Sequence, residues 1–203
     1  WLLEGVGEAL TKDGTCMVES NPRDFGHALV LWNTRPFPRN ILIEFTMEPE
    51  NPSKGLGIVF FATRNLSEGS PFAPGLPERR GRFDRYHSGE LNGYHVSYWS
   101  ANSRTGNILR RTSNLRKNQG FVLCSVGADH IGGAAPDPRL VRILSVDGLI
   151  QVETDGRLVL SFQDDGTFFG PPHADGWIGL RQMGSADRIT YHDFRVSEVH
   201  PIA

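Results

Sequence analysis

Apolar and polar residues alternate with a period of two along much of this chain, most cleanly in residues 41–47, Ile-Leu-Ile-Glu-Phe-Thr-Met. Ile41, Ile43, Phe45 and Met47 fall on one face and Leu42, Glu44 and Thr46 on the other, which predicts a half-buried strand. Residues 57–62, Gly-Ile-Val-Phe-Phe-Ala, are apolar on both faces and predict a central strand covered on each side. Residues 140–146, 149–154 and 157–162 read as strands joined at Asp147-Gly148 and Asp155-Gly156, dipeptides that make tight hairpins. Further strands are predicted over 121–126, 176–183 and 189–199. Few windows sustain a helical period, because 23 glycines and 13 prolines cut the chain into short pieces. Two packed antiparallel sheets are the simplest architecture that buries roughly a dozen such strands. Between residues 63 and 89 the alternation vanishes among Pro71, Pro74, Pro77, glycines and five basic residues, which predicts a long loop.

With 203 residues, 38% hydrophobic and 22% charged, the chain can bury one large core and is read as one domain, 1–203. A formal charge of -2 argues against a general nucleic-acid binder. No apolar run approaches the roughly 18 to 20 residues of a membrane helix, so no membrane partner is expected. The positive charge is nevertheless concentrated. Arg79, Arg80, Arg82 and Arg85 precede, and Arg104, Arg110, Arg111, Arg116 and Lys117 follow, the segment Asn-Gly-Tyr-His-Val-Ser-Tyr-Trp-Ser at 92–100. Cationic loops around polar aromatics predict an anionic ligand. Cys16 and Cys124 are too few for a disulfide framework, and His87, His95, His130, His173 and His192 lack compact metal spacing. No cofactor is expected, although a structural calcium ion in a loop, through Asp193, is compatible with the sequence. The sequon Asn65-Leu66-Ser67 shifts the balance slightly toward an extracellular protein; compartment and oligomeric state stay open.

The run from Val141 through Asp147-Gly148 and Asp155-Gly156-Arg157 to Phe162, followed by residues 176–180 and 193–196, resembles the closing strands of concanavalin A-like jelly rolls. Residues 57–62, 93–98, 114–118 and 181–183 extend the similarity over nearly the whole chain to the YesU-like family of uncharacterised jelly-roll proteins. The resemblance implies an all-β, concanavalin A-like jelly-roll β-sandwich of two antiparallel sheets with a long loop over the concave face. Some bacterial members of that family lie beside rhamnogalacturonan-degrading genes. This implies a carbohydrate ligand, an acidic oligosaccharide or polysaccharide containing uronate.

Alternation around Val96 places Tyr94, Val96 and Tyr98 on one face and His95, Ser97 and Trp99 on the other. If Val96 faces the core, His95, Ser97 and Trp99 line an open groove, joined by Glu44 if its strand belongs to the same sheet. Tryptophan offers an apolar plate for a pyranose, and His, Ser and Glu supply directional polar contacts. Asn114, Arg116 and Lys117 suit a uronate carboxylate, since arginine binds one through two parallel hydrogen bonds. In a β-elimination lyase a cation or amide neutralises the carboxylate, a His or Tyr removes the neighbouring proton and a tyrosine protonates the leaving oxygen. His95, Tyr98 and Arg116 are the expected catalytic residues; Glu44, Trp99, Asn114, Lys117, Arg181 and Gln182 are the expected substrate-binding ones. Jelly-roll alginate lyases use a similar cast of residue types, without sharing motifs with this chain. The alternatives are a non-catalytic carbohydrate-binding module and a glycoside hydrolase, which needs two carboxyl groups facing one bond. For the latter only Glu44 is well placed, with Asp84, Glu90 or Asp193 as its partner.

Overall fold

The structure is a computed structural model that describes residues 1–20, 28–101, 112–183 and 188–200. The described strands are β1 (Leu2–Gly5), β2 (Gly7–Lys12), β3 (Thr15–Ser20), β4 (Leu29–Trp32), β5 (Ile41–Pro49), β6 (Leu56–Asn65), β7 (Leu91–Ser100), β8 (Thr112–Asn118), β9 (Val122–Ala128), β10 (Arg139–Val146), β11 (Leu149–Thr154), β12 (Arg157–Gln163), β13 (Trp177–Gln182) and β14 (Arg188–Glu198). One helical turn, α1 (Asp84–His87), precedes β7. The first sheet runs β1-β4-β13-β6-β7-β8-β9 and the second β12-β11-β10-β5-β14-β3-β2, and every pairing is antiparallel.

The two Asp-Gly hairpins form as the sequence predicts. Asp147 and Gly148 have φ of 46° and 84°, and Asp155 and Gly156 have 51° and 73°. Both central residues of each turn are therefore left-handed, which matches the twist of the flanking strands. Between the sheets, Leu29, Leu31, Val59, Phe61, Val96, Leu115 and Leu180 of the first meet Val18, Ile43, Phe45, Met47, Val141, Ile143, Val152 and Ile189 of the second in one buried core. Cys16 and Cys124 are free thiols, one in each sheet.

A separate apolar cluster explains why 57–62 is apolar on both faces. On the outer face of the first sheet, Val30, Trp32, Ile58, Phe60 and Leu91 pack beneath Tyr86, Phe72 and Phe83. Gly179 makes room for it: a Cβ there would lie 2.6 Å from the Trp32 ring, so the indole lies directly on the strand. The cover is a strap, residues 78–90, tied down by Glu4. The Glu4 carboxylate accepts hydrogen bonds from the Arg79 guanidinium, Tyr86 Oη (3.0 Å) and Trp32 Nε1 (3.2 Å).

Two expectations change. The segment 63–89 is not loop throughout, since β6 continues to Asn65 and α1 interrupts the rest. Residues 114–118, read as a loop before a strand, are themselves strand β8. Arg104, Arg110 and Arg111 lie outside the described residues.

Candidate functional site

Strand register decides which predicted residues meet. On the outer face of the first sheet, His95 stands opposite Phe60 on one side and Arg116 on the other. In the next row Ser97 lies between Ile58 and Asn114, and Arg181 lies opposite Ile58. His95, Asn114, Arg116 and Arg181 thus share one surface.

The other nominated residues are elsewhere. Tyr98 points into the inter-sheet core, where its hydroxyl meets that of Tyr191 at 3.2 Å. A register shift between Gly57 and Ile58 turns Trp99 into the same core, with Nε1 donating to the Pro52 carbonyl at 3.1 Å. Lys117 follows Arg116 on a strand, so alternation sends it to the opposite face. There its ammonium pairs with Asp164 at 2.8 Å. Gln182, one residue after Arg181, is likewise carried to the other side of its strand and is fully buried. Glu44 belongs to the second sheet and is clamped by Arg142 (2.9 Å) and Arg195 (2.7 Å). Those arginines hold the Glu44 carboxyl below its ordinary pKa, so it is unsuited to be a general acid. Asp193 lines a cleft beside it, on the face remote from His95.

The shared surface is closed. Rather than walling an open groove, the strap lays Phe83 against the His95 ring at 5.8 Å, and Phe121 stacks on it at 5.5 Å. His95 is 1% exposed, and burial, reinforced by Arg116, lowers its pKa to about 3. Arg181 is equally buried, stacked on Phe83 (4.7 Å) and Tyr86 (5.2 Å), with no hydrogen-bond partner for Nε or Nη1. Burial lowers its pKa to about 10.

An open cleft of about 440 Å³ lies alongside, where β8 ends and the loop before β13 passes. Asn92, Asn118, Gln119, His173, Glu68 and the Arg64–Asp175 ion pair line it, and Phe169, 66% exposed, stands at its edge. Lys117 builds this loop: its ammonium donates to the carbonyls of Gly170 (2.7 Å) and Phe168 (3.3 Å) besides pairing with Asp164. Asp164 also accepts from Tyr94 Oη at 2.5 Å, and Tyr94 Oη accepts from the His173 backbone N–H at 3.0 Å. His173 Nε2 donates to the Asn118 carbonyl at 3.0 Å, which leaves Nδ1 as the unprotonated nitrogen. Burial, and then the Lys117 charge, lowers the His173 pKa to about 4. Sequence reasoning passed over this loop because 164–176 lacks alternation; adjacent Phe168-Phe169 between glycines was the available signal.

Both histidines have folded pKa values below the ordinary 6.5, so between these values the unfolded chain binds more protons. Their contribution is complete above pH 6.5 and is lost as pH falls toward 4 and then 3. Urea unfolding between pH 7 and pH 4 should show stability declining by up to about 1.4 kcal/mol per pH unit for each histidine. His173→Gln, which keeps the donor to Asn118, should flatten the slope; an unchanged slope would contradict the assignment.

The architecture and register define the chain as a concanavalin A-like, galectin-like β-sandwich. It belongs to the family described as domain of unknown function DUF1961, which matches residues 1–196. The uncharacterized protein YesU of Bacillus subtilis (strain 168) is 33% identical over 201 residues, covering 98% of this chain and 89% of that one. A crystal structure of a Bacillus subtilis protein of unknown function with a galectin-like fold superposes with a TM-score of 0.86 at 30% identity, over 98% of this chain and 89% of that one. The carbohydrate-binding module CBM66 from Bacillus subtilis shares the fold, with a TM-score of 0.59 at 10% identity over 95% and 92% of the two chains.

Proposed function

We propose that this chain binds saccharides in the cleft beside His173. The observation that carries the reading is the pairing of an exposed aromatic plate, Phe169, with a lining of amides, carboxylates and a neutral imidazole. A pyranose has a C–H face that stacks on an aromatic ring and a rim of hydroxyls that exchange hydrogen bonds with such groups. A carbohydrate-binding module with the same fold supports this reading. Calorimetric titration with an oligosaccharide panel tests it. Phe169→Ala should weaken binding about tenfold, the loss of roughly 1.4 kcal/mol of ring contact. Binding unchanged by that substitution would remove the cleft from consideration.

A second reading is β-elimination of a uronate-containing saccharide on the outer face of the first sheet. The unpartnered guanidinium nitrogens of buried Arg181, with Arg116 across the same face, favour it because a carboxylate satisfies such donors. It requires the strap to lift from His95. Ultraviolet-absorbing unsaturated products from uronate oligosaccharides decide for it; measurable binding without them leaves the chain a binding protein.

A further inference from the structure

We infer that the cleft selects uncharged saccharides, and that the Arg64–Asp175 pair is the device that keeps acidic ones out. This rests on the cleft being the saccharide site. Among its described lining residues Arg64 is the one lysine or arginine, and each of its three nitrogens is engaged at least once. Nε donates to the Asp175 carbonyl (3.1 Å) and carboxylate (3.2 Å), Nη2 donates to the same carboxylate, and Nη1 donates to the Glu68 carbonyl at 2.5 Å. The guanidinium also lies over the Trp177 ring at 5.6 Å. An incoming carboxylate therefore finds the side-on Nε/Nη2 fork already occupied by Asp175.

Four of the remaining polar residues offer acceptors. Asp175 and Glu68 contribute carboxylates, and Gln119 keeps its Oε1 because its Nε2 already donates to the Gly89 carbonyl at 2.9 Å. His173 Nδ1 is an acceptor once Nε2 is committed to Asn118. Against these stand amide donors that carry no charge: Asn92 Nδ2, whose Oδ1 accepts from the Gly93 N–H at 3.2 Å, Asn118 Nδ2, and the second Nε2 hydrogen of Gln119. Sugar hydroxyls can donate to every one of these acceptors; an ionised carboxylate can donate to none. It would also lose water beside the Glu68 carboxylate and an Asp175 whose charge Arg64 offsets, a lining that is negative on balance, which is a penalty against the wrong ligand as much as a preference for the right one.

The test compares neutral gluco-, galacto- and manno-configured trisaccharides with trigalacturonate and triglucuronate by calorimetry. At least one neutral trisaccharide should bind, and the acidic ones should bind in the cleft at least about tenfold more weakly. Acidic-saccharide binding that Phe169→Ala leaves intact lies outside the cleft and agrees with exclusion. Asp175→Ala removes the carboxylate that holds Nη2 and shares Nε, leaving Nε only its main-chain contact at 175, and should raise trigalacturonate affinity about tenfold, a gain that Arg64→Gln/Asp175→Ala should erase. The pair is partly exposed, so both variants should keep the wild-type circular dichroism spectrum. Equal binding of neutral and acidic probes, both sensitive to Phe169→Ala, would overturn the selectivity while preserving the saccharide site. Binding of no probe would overturn the site and the selectivity together.

Discussion

Lys117→Met should cost about 3–5 kcal/mol of folding stability, because removing one member of a buried ion pair strands the other. Lys117 and Asp164 have side chains 3% and 0% exposed, so little water reaches the carboxylate left behind. Tyr94 Oη and the Gly166 N–H (3.1 Å) would remain as its donors, and neither carries charge. The same substitution frees the carbonyls of Phe168 and Gly170, so the loop bearing Phe169 and His173 loses its anchor. Saccharide binding should therefore fall along with the unfolding midpoint. Lys117→Met/Asp164→Leu separates these effects: replacing both charges should restore most of the stability, yet leave binding impaired because the loop carbonyls stay unanchored. A single variant as stable as wild type in urea titration would show that the pair is not isolated from solvent.

Glu4→Gln is expected to cost about 2–4 kcal/mol, somewhat less than a fully buried pair because the Glu4 side chain is 17% exposed. Its carboxylate is the common acceptor for Arg79, Tyr86 and Trp32, so one substitution weakens the strap at both ends and at its seat. The strap should then open more often, and trypsin should cut more rapidly at Arg80 and Arg82, which are exposed. Glu78→Gln is the control. Its pair with Arg80 is almost fully solvated, so neither the unfolding midpoint nor the cutting rate should move. Equal proteolysis of Glu4→Gln and wild type would mean that the apolar cover, rather than the carboxylate, holds the strap.

The architecture was legible because strand alternation and Asp-Gly turns are local signals. Residues 41–47 and the hairpins at 147–148 and 155–156 needed no information from elsewhere in the chain. The doubly apolar 57–62 even announced a cover on the outer face, although nothing local showed that residues 78–90 supply it. The site was legible only in part, for the same physical reason. Alternation put His95 on the face opposite Val96, but the open groove expected there is closed by the strap; Arg116 and Lys117 were grouped as two cations of one loop, and a strand divides them. Trp99 escaped its expected face through a bulge set by the neighbouring strand. Glu4 and Asp164, the carboxylates that organise the strap and the cleft, act over 82 and 70 residues of chain on Tyr86 and Tyr94. Such distant pairings leave no periodic trace.

Asn118 stands between the covered face and the open cleft, taking His95 Nδ1 on its side-chain oxygen at 3.1 Å and His173 Nε2 on its main-chain oxygen at 3.0 Å. Both contacts end on carbonyl oxygens, which receive hydrogen bonds and have no proton to pass on. The two imidazoles are thus held in opposite tautomers by one residue, and no proton wire runs between them through it. Chemistry in the cleft, whatever its nature, is insulated from the ring under the strap.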